Sequence, residues 1–159
     1  MKLFSFASAL AVLAVETFAM FEGVEKLTSA NWADKVENDK DHAWMVTFYA
    51  TWCPYCKTFD PELAKAMQDS RISDKKIRFG AVDVMANRDL TQRYGIKRSP
   101  TVKMFGHDKS APEDYLGQRK HIDITDYAEA YANNHNFINK QTDAYIEEEI
   151  YDIGAQPDP

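Results

Sequence analysis

Two cysteines separated by two residues lie where a hydrophobic segment gives way to a helical pattern, and this junction constrains the fold more than any other feature. Residues 42–51, which read His-Ala-Trp-Met-Val-Thr-Phe-Tyr-Ala-Thr, are rich in aromatic and β-favouring residues without helical periodicity, which predicts a central strand covered on both faces. Pro54 suits the first turn of a helix, because its missing N–H would have no intrahelical partner there. The sequence therefore predicts a buried strand followed at once by Cys53 and Cys56 at a helix N-terminus.

Helical and extended patterns alternate along the rest of the chain. Helices are predicted over residues 31–38, 55–70, 87–94 and 123–133. Strands are predicted over residues 42–51, 77–84, 101–105 and 114–116. Thr28 or Ser29 is the expected cap of the first helix, Gly95 ends the third, and Asp123 or Thr125 lies near the cap of the last. Alternation followed by antiparallel closure predicts an α/β domain with helices packed on a central sheet.

The two ends of the chain differ in character from its body. Lys2, the apolar run over 3–15 and the small-residue pattern ending at Ala19 predict a secretory signal peptide over 1–19, cleaved after Ala19. That run is shorter than the ~20 residues of a transmembrane helix, so we expect no membrane contact in the mature form. An uncleaved membrane anchor is the alternative interpretation. Residues 136–159 carry six carboxylates against Lys140 alone and form an acidic tail. The folded domain is thus expected over 20–135.

Charge and composition exclude two classes of function. The formal net charge of -6 argues against nucleic acid as a partner, because phosphate backbones are bound by clustered lysines and arginines. Two cysteines and four scattered histidines supply no set of four ligands at the spacing of a zinc site, so no metal is expected. No cofactor is predicted either.

The cysteine pair carries the predicted chemistry. Free N–H groups and the partial positive charge of the helix N-terminus favour a thiolate on Cys53, which makes it the attacking sulfur. Cys56, one helical turn further on, can attack the resulting mixed disulfide and resolve it. Pro54 and Tyr55 restrict the small ring that closes between the two sulfurs. A plain local disulfide or half of a zinc knuckle remains the alternative interpretation of the pair alone.

Residues 48–57, Phe-Tyr-Ala-Thr-Trp-Cys-Pro-Tyr-Cys-Lys, closely resemble the active-site segment of thioredoxins and protein disulfide isomerases. Trp52 and Lys57 belong to this segment, and Pro61 matches the proline that kinks the active-site helix of that family. The segments over 82–84 and 99–103 are also similar to isomerase domains. The resemblance covers residues 22 to 134 and implies a thioredoxin fold, a central mixed β-sheet flanked by helices on both faces.

The resemblance also implies supporting roles around the cysteines. Pro100 would be a cis-proline facing the pair, and the backbone of Ser99 would hydrogen-bond an extended substrate chain. The segment Tyr-Leu-Gly-Gln-Arg over 115–119 is similar to an isomerase element whose arginine approaches the second cysteine, so Arg119 would favour the thiolate of Cys56. A trans loop proline and a merely solvated arginine are the alternatives.

Two positions depart from the isomerase pattern. Thr47 stands where the family usually places a buried acidic residue that accepts the proton of the second cysteine, and a hydroxyl cannot take that role by ionising. The Pro54-Tyr55 dipeptide is that of glutaredoxins rather than of isomerases. The other glutaredoxin elements for glutathione are not matched in this sequence, so glutathione is expected at most as a redox partner.

The predicted function is that of a protein disulfide isomerase, a thiol–disulfide oxidoreductase that acts on cysteine-containing clients in the endoplasmic reticulum lumen or outside the cell. A thioredoxin-like reductant is one alternative. Another is a redox-slow binding or chaperone module that uses the groove around Trp52, Tyr55 and Pro100. The acidic tail is expected to pack on the body, to be partly disordered, or to dock a partner.

Overall fold

The computed structural model describes residues 20–73 and 76–134, so the predicted signal peptide and acidic tail lie outside the described residues. The elements follow in the order β1 (Glu25–Lys26), a π-helix (Ala33–Glu37), β2 (Ala43–Tyr49), α1 (Pro54–Met67), α2 (Ser70–Ser73), β3 (Ile77–Asp83), α3 (Arg88–Arg93), β4 (Thr101–Phe105) and β5 (Glu113–Asp114). A final helix, α4, covers residues 121–134 of the described chain. The predicted alternation of helices and strands is confirmed, and β1 is an addition that no sequence pattern indicated.

One mixed sheet joins all five strands in the order β1-β3-β2-β4-β5. Strand β2 runs parallel to β3 and antiparallel to β4, so it occupies the centre. Every residue of β2 is buried, as expected for a strand with neighbours on both sides and helices on both faces. The prediction of a doubly covered central strand before the cysteine pair is therefore confirmed.

Each face of the sheet has its own hydrophobic cluster, because successive side chains of a strand point to opposite faces. The first cluster joins the sheet to α1 and α4; its members include Met45, Tyr49, Phe59, Leu63, Ile124 and Ala128. The second joins it to the π-helix and α3; its members include Trp32, Val36, Trp44, Phe48 and Leu90. Helices on both faces of a mixed sheet confirm the fold class that the sequence predicts.

The predicted side-chain cap of the first helix is wrong. Only Ala33–Glu37 is helical there, as a π-helix, and no side-chain hydrogen bond caps it. The Ser29 hydroxyl and N–H instead meet the side-chain oxygen of Asn87, the N–H at 2.9 Å. Asn87 precedes α3, so Ser29 ties two separate segments together. Sequence spacing could not show this use because the partner is 58 positions away.

The last helix also starts differently from the prediction. It begins at His121, two residues before Asp123, and its first N–H donates to the Glu62 carboxylate of α1 at 2.8 Å. Thr125 lies inside the helix and is fully buried. The cap therefore comes from another helix, which a local cap rule cannot detect.

The remaining boundaries shift by a few residues. The helix predicted over 55–70 runs from Pro54 to Met67 through Pro61, and a separate short helix follows it. The strand predicted over 114–116 is Glu113–Asp114, although the Tyr115 N–H still bonds the Val102 carbonyl at 2.9 Å. Gly95 follows α3 with a φ of 62°, which confirms it as the residue that ends that helix.

Each helix in the described ranges is too short or too polar to cross a bilayer.

Candidate active site

Both cysteines lie at the junction between the end of β2 and the start of α1. Cys53 is the residue before the helix, with an extended backbone, and Pro54 occupies the first helical position. The Cys53 carbonyl accepts hydrogen bonds from the N–H groups of Cys56 at 3.2 Å and Lys57 at 3.3 Å. The sequence therefore folds locally as predicted, since proline at the first turn costs no backbone hydrogen bond. Both side chains are free thiols.

The Cys53 thiol also contacts the loop before β4. Its Sγ donates a hydrogen bond to the Ser99 carbonyl at 3.2 Å, and the Ser99–Pro100 peptide bond is cis. Pro100 is buried beside the pair. Cys53 itself is only 3% exposed, so little of its surface is open to solvent. The structure thus places Ser99 and Pro100 beside Cys53.

Cys56 is completely buried behind Cys53. Burial, followed by a hydrogen bond with the Cys53 side chain, raises the pKa of the Cys56 thiol to about 12, because the thiolate loses water and gains a sulfur neighbour. A backbone hydrogen bond with Ala50 and the positive charge of Arg119 act in the opposite direction. Neutral Cys56 is thus the favoured form of the reduced protein at neutral pH.

Arg119 reaches the cysteine site from the loop after β5. Its guanidinium donates a hydrogen bond to the Pro100 carbonyl at 3.0 Å, which fixes its position next to the loop that contacts Cys53. A purely solvated surface arginine would make no such bond. The charge of Arg119 therefore acts on Cys56 from a held position.

Large apolar side chains project from the protein around the buried sulfurs. Trp52 is 68% exposed and Tyr55 is 69% exposed, one on each side of Cys53 in the sequence. Leu116, on the loop that also carries Arg119, is 83% exposed. Exposed aromatic and aliphatic side chains near a reactive group suit contact with a partner chain. Leu116 is a site residue that no sequence pattern indicated.

Thr47 lies on the face of β2 that carries Met45 and Tyr49, towards α1 and the cysteine pair. It is fully buried, and its hydroxyl has no hydrogen-bond partner within the described part of the chain. The resemblance to isomerases leads one to expect a buried acid at this position. A neutral hydroxyl without a hydrogen-bond partner among the described residues stands there instead. Thr47 offers Cys56 no carboxylate.

We expect Thr47→Val to raise the free energy of unfolding by about 1 kcal/mol, because it removes a buried hydroxyl that has lost water without gaining a partner. Thr91→Val is the matched control. Its hydroxyl donates to the Asn87 carbonyl at 2.8 Å, so the same substitution should lower stability by about 1 kcal/mol. The urea midpoints of both variants will show whether the two changes in the free energy of unfolding have opposite signs. Destabilisation by Thr47→Val would mean that the hydroxyl has a partner in solution.

The groove beside Pro100 is lined by cations, which no sequence pattern predicts, and its lining does not include Trp52 or Tyr55. The groove has a volume of about 270 Å³, and its lining includes Lys97, Arg98, Lys103 and Arg119. The signal available in the sequence is the grouping of three of these cations around Pro100 in a chain of net charge -6. Within the described ranges, no group of three or more histidine, cysteine or carboxylate side chains could hold a metal.

Comparison with known proteins identifies the fold family. The thioredoxin family model matches residues 23–130, more than half of the chain. The chain belongs to the thioredoxin family. Among solved structures, this thioredoxin domain is similar to the first thioredoxin domain of mouse protein disulfide-isomerase A4, with a TM-score of 0.60 and 26% identity over 69% of this chain and 76% of that chain.

Curated proteins that this chain is similar to carry the name protein disulfide-isomerase. Protein disulfide-isomerase A6 of Mesocricetus auratus is 44% identical over 96 residues, which cover 60% of this chain and 22% of the relative. Protein disulfide-isomerase of Oryctolagus cuniculus is 37% identical over 122 residues, which cover 75% of this chain and 24% of the relative. The chain thus spans about a quarter or less of the length of these relatives. The chain is thus a thioredoxin-domain protein that is similar to protein disulfide isomerases.

Proposed function

We propose that this protein is a protein disulfide isomerase, a thiol–disulfide oxidoreductase that exchanges disulfides with cysteine-containing proteins of the secretory pathway. The observation that carries the proposal is the reduced pair itself. Cys53 and Cys56 are free thiols at a helix N-terminus, hydrogen-bonded to each other, with the Cys53 sulfur against the Ser99 carbonyl. The similarity to protein disulfide-isomerase A6 and to rabbit protein disulfide-isomerase supports it.

The first step is attack by Cys53 on a client disulfide. The Cys53 thiol loses its proton, and the N-terminal end of α1 stabilises the thiolate through its unpaired N–H groups. A bond forms between Cys53 and one client sulfur, while the client disulfide breaks and the other client sulfur leaves as a thiolate. Trp52 and Tyr55 offer apolar contact to the client, and the Ser99 backbone positions its extended chain.

The second step resolves the mixed disulfide. The Cys56 thiolate attacks the Cys53 sulfur, a disulfide forms between the two, and the second client sulfur leaves as a thiolate. The client gains two electrons and the cysteine pair loses them. The same steps in reverse pass a disulfide from the oxidised pair to a reduced client, and the two directions combined allow isomerisation. Glutathione serves in this scheme as the small redox partner of the pair.

The secretory location rests on the sequence. The apolar pattern over residues 1–19 is that of a signal peptide, and it directs the protein to a compartment where client disulfides form. The endoplasmic reticulum lumen or the extracellular space is the proposed location.

The reduction potential of the Cys53–Cys56 pair tests this function. The purified protein is equilibrated with glutathione buffers, and free thiols are trapped and counted by mass spectrometry. A value of roughly -180 to -230 mV supports an oxidase or isomerase matched to the endoplasmic reticulum. A value near or below about -270 mV fits a thioredoxin-like reductant or a closed structural disulfide, and the isomerase proposal would then be withdrawn.

A redox-slow binding module is the second candidate, and Thr47 is the observation that favours it. The buried position facing the pair holds no carboxylate, and the pKa of Cys56 is raised by its burial, so release of a captured client is slow. Client binding that survives replacement of both cysteines by serine would favour this candidate over the oxidoreductase.

A further inference from the structure

The groove beside Pro100 is open and strongly cationic. Among its lining residues, Lys97, Arg98, Lys103 and Arg119 carry positive charge and Asp114 alone carries negative charge. Lys103 is paired with Asp114 at 2.5 Å, and Arg119 is bonded to the Pro100 carbonyl. Two of the four cations are thus already engaged.

Lys97 and Arg98 differ from the other two. Both are exposed, and no carboxylate of the described residues forms a salt bridge with either. They immediately precede Ser99, whose carbonyl contacts the Cys53 sulfur. A client chain bound along this loop therefore passes two unpaired cations within a few residues of its reacting cysteine, since an extended chain advances ~3.3 Å per residue.

Carboxylates lie on the other side of β2 from the groove. Asp83 ends β3, which neighbours β2 on one side, and its charge acts on Tyr49 together with that of Asp60. Lys97 and Arg98 precede β4, which neighbours β2 on the other side. The cationic groove is thus a local feature of one side of the site, in a chain whose net charge is -6.

We propose that this groove selects client segments that carry acidic residues next to the reacting cysteine, which bind Lys97 and Arg98 through their carboxylates. This selectivity deepens the proposed exchange function and rests on it. Opposite charge attracts the correct client and accelerates its association, while a basic client is repelled by the same two cations. Leu116, which also lines the groove, adds apolar contact beside the charges.

Peptides that differ at one feature test the selectivity. Each carries the same disulfide, flanked by two glutamates, two glutamines or two lysines, and the rate constant for exchange with the reduced protein is measured at low ionic strength. We expect the acidic peptide to react about tenfold faster than the basic one, as two partly exposed ion pairs allow, and the gap to shrink at high salt. Equal rates for the three peptides would overturn the proposal.

Two double variants separate the groove from general charge effects. Lys97→Gln with Arg98→Gln should bring the ratio of acidic to basic rates close to one. Lys40→Gln with Lys65→Gln removes the same charge far from the site, before β2 and in the last turn of α1, and should keep the preference. A loss of preference in the second variant would overturn the assignment to the groove.

Binding without exchange distinguishes this proposal from the exchange function. The same peptides with serine in place of cysteine are titrated against the protein, and the fluorescence of the exposed Trp52 reports binding. Tighter binding of the acidic serine peptide supports the groove even if no peptide is reduced. A different outcome is that high salt raises the rate of exchange with the neutral peptide and that the Lys97 and Arg98 variant loses this effect. The groove would then bind the chain's own acidic residues 136–159, and the proposal would be overturned.

Discussion

Replacing Cys56 with serine is expected to leave the protein covalently attached to its clients. Cys53 still attacks a client disulfide, but no thiol remains to attack the mixed disulfide, so release waits for an external thiol. Turnover of a disulfide peptide should fall by about 100-fold or more in the absence of glutathione. Non-reducing gels of alkylated samples will show the trapped species as bands that disappear on reduction.

Cys53→Ser is the matched control for this trap. The variant keeps one thiol, but that thiol is the fully buried Cys56, whose pKa is raised by burial and by its neighbour. We expect neither turnover nor mixed disulfides. Equal trapping by the two variants would contradict the assignment of Cys53 as the attacking sulfur and Cys56 as the resolving one.

Resolution of the mixed disulfide should rise steeply with pH. Burial is the largest cause of the raised Cys56 pKa and persists when Cys53 is bound to a client, so the reactive thiolate should stay the minor form from pH 6 to 9 and increase about tenfold for each pH unit. The rate of release, followed by stopped flow after a pre-formed mixed disulfide is mixed with buffer, should therefore increase about 1,000-fold between these limits. A rate that levels off below pH 9 would show that Cys56 titrates there and that burial does not control it.

Arg119 variants test whether a positive charge offsets the effect of burial on the pKa of Cys56. Arg119→Gln removes a positive charge that lowers the pKa of Cys56, so release at a fixed pH should slow by about 3- to 10-fold. Arg119→Lys keeps the charge and should retain most of the rate, although it cannot reproduce the geometry of the guanidinium bond to Pro100. Equal slowing by both variants would assign Arg119 to positioning the Pro100 loop rather than to electrostatics.

Local sequence determined the junction of β2 and α1 that carries the cysteine pair. The hydrophobic segment before Cys53 and the proline after it dictate a buried strand followed by a helix N-terminus, and β2 and α1 have that arrangement. These features depend on neighbours within a few residues, so strand pattern and helix-start rules detect them. The resemblance of residues 48–57 to thioredoxins and protein disulfide isomerases indicates the thioredoxin family, which the match over 23–130 confirms.

Only the tertiary structure decided how the site is completed. The Cys53 sulfur meets the Ser99 carbonyl 46 positions away, and the Glu62 carboxylate caps α4 from 59 positions away. These partners are brought together by the order of strands in the sheet and by the packing of helices on it, which no short window of sequence contains. The same packing buries Thr47 without a hydrogen-bond partner among residues 20–73 and 76–134, and it places the Lys97 and Arg98 charges beside the loop that contacts Cys53. Long-range contacts therefore set the electrostatics of the site, while local sequence set the position of its cysteine pair.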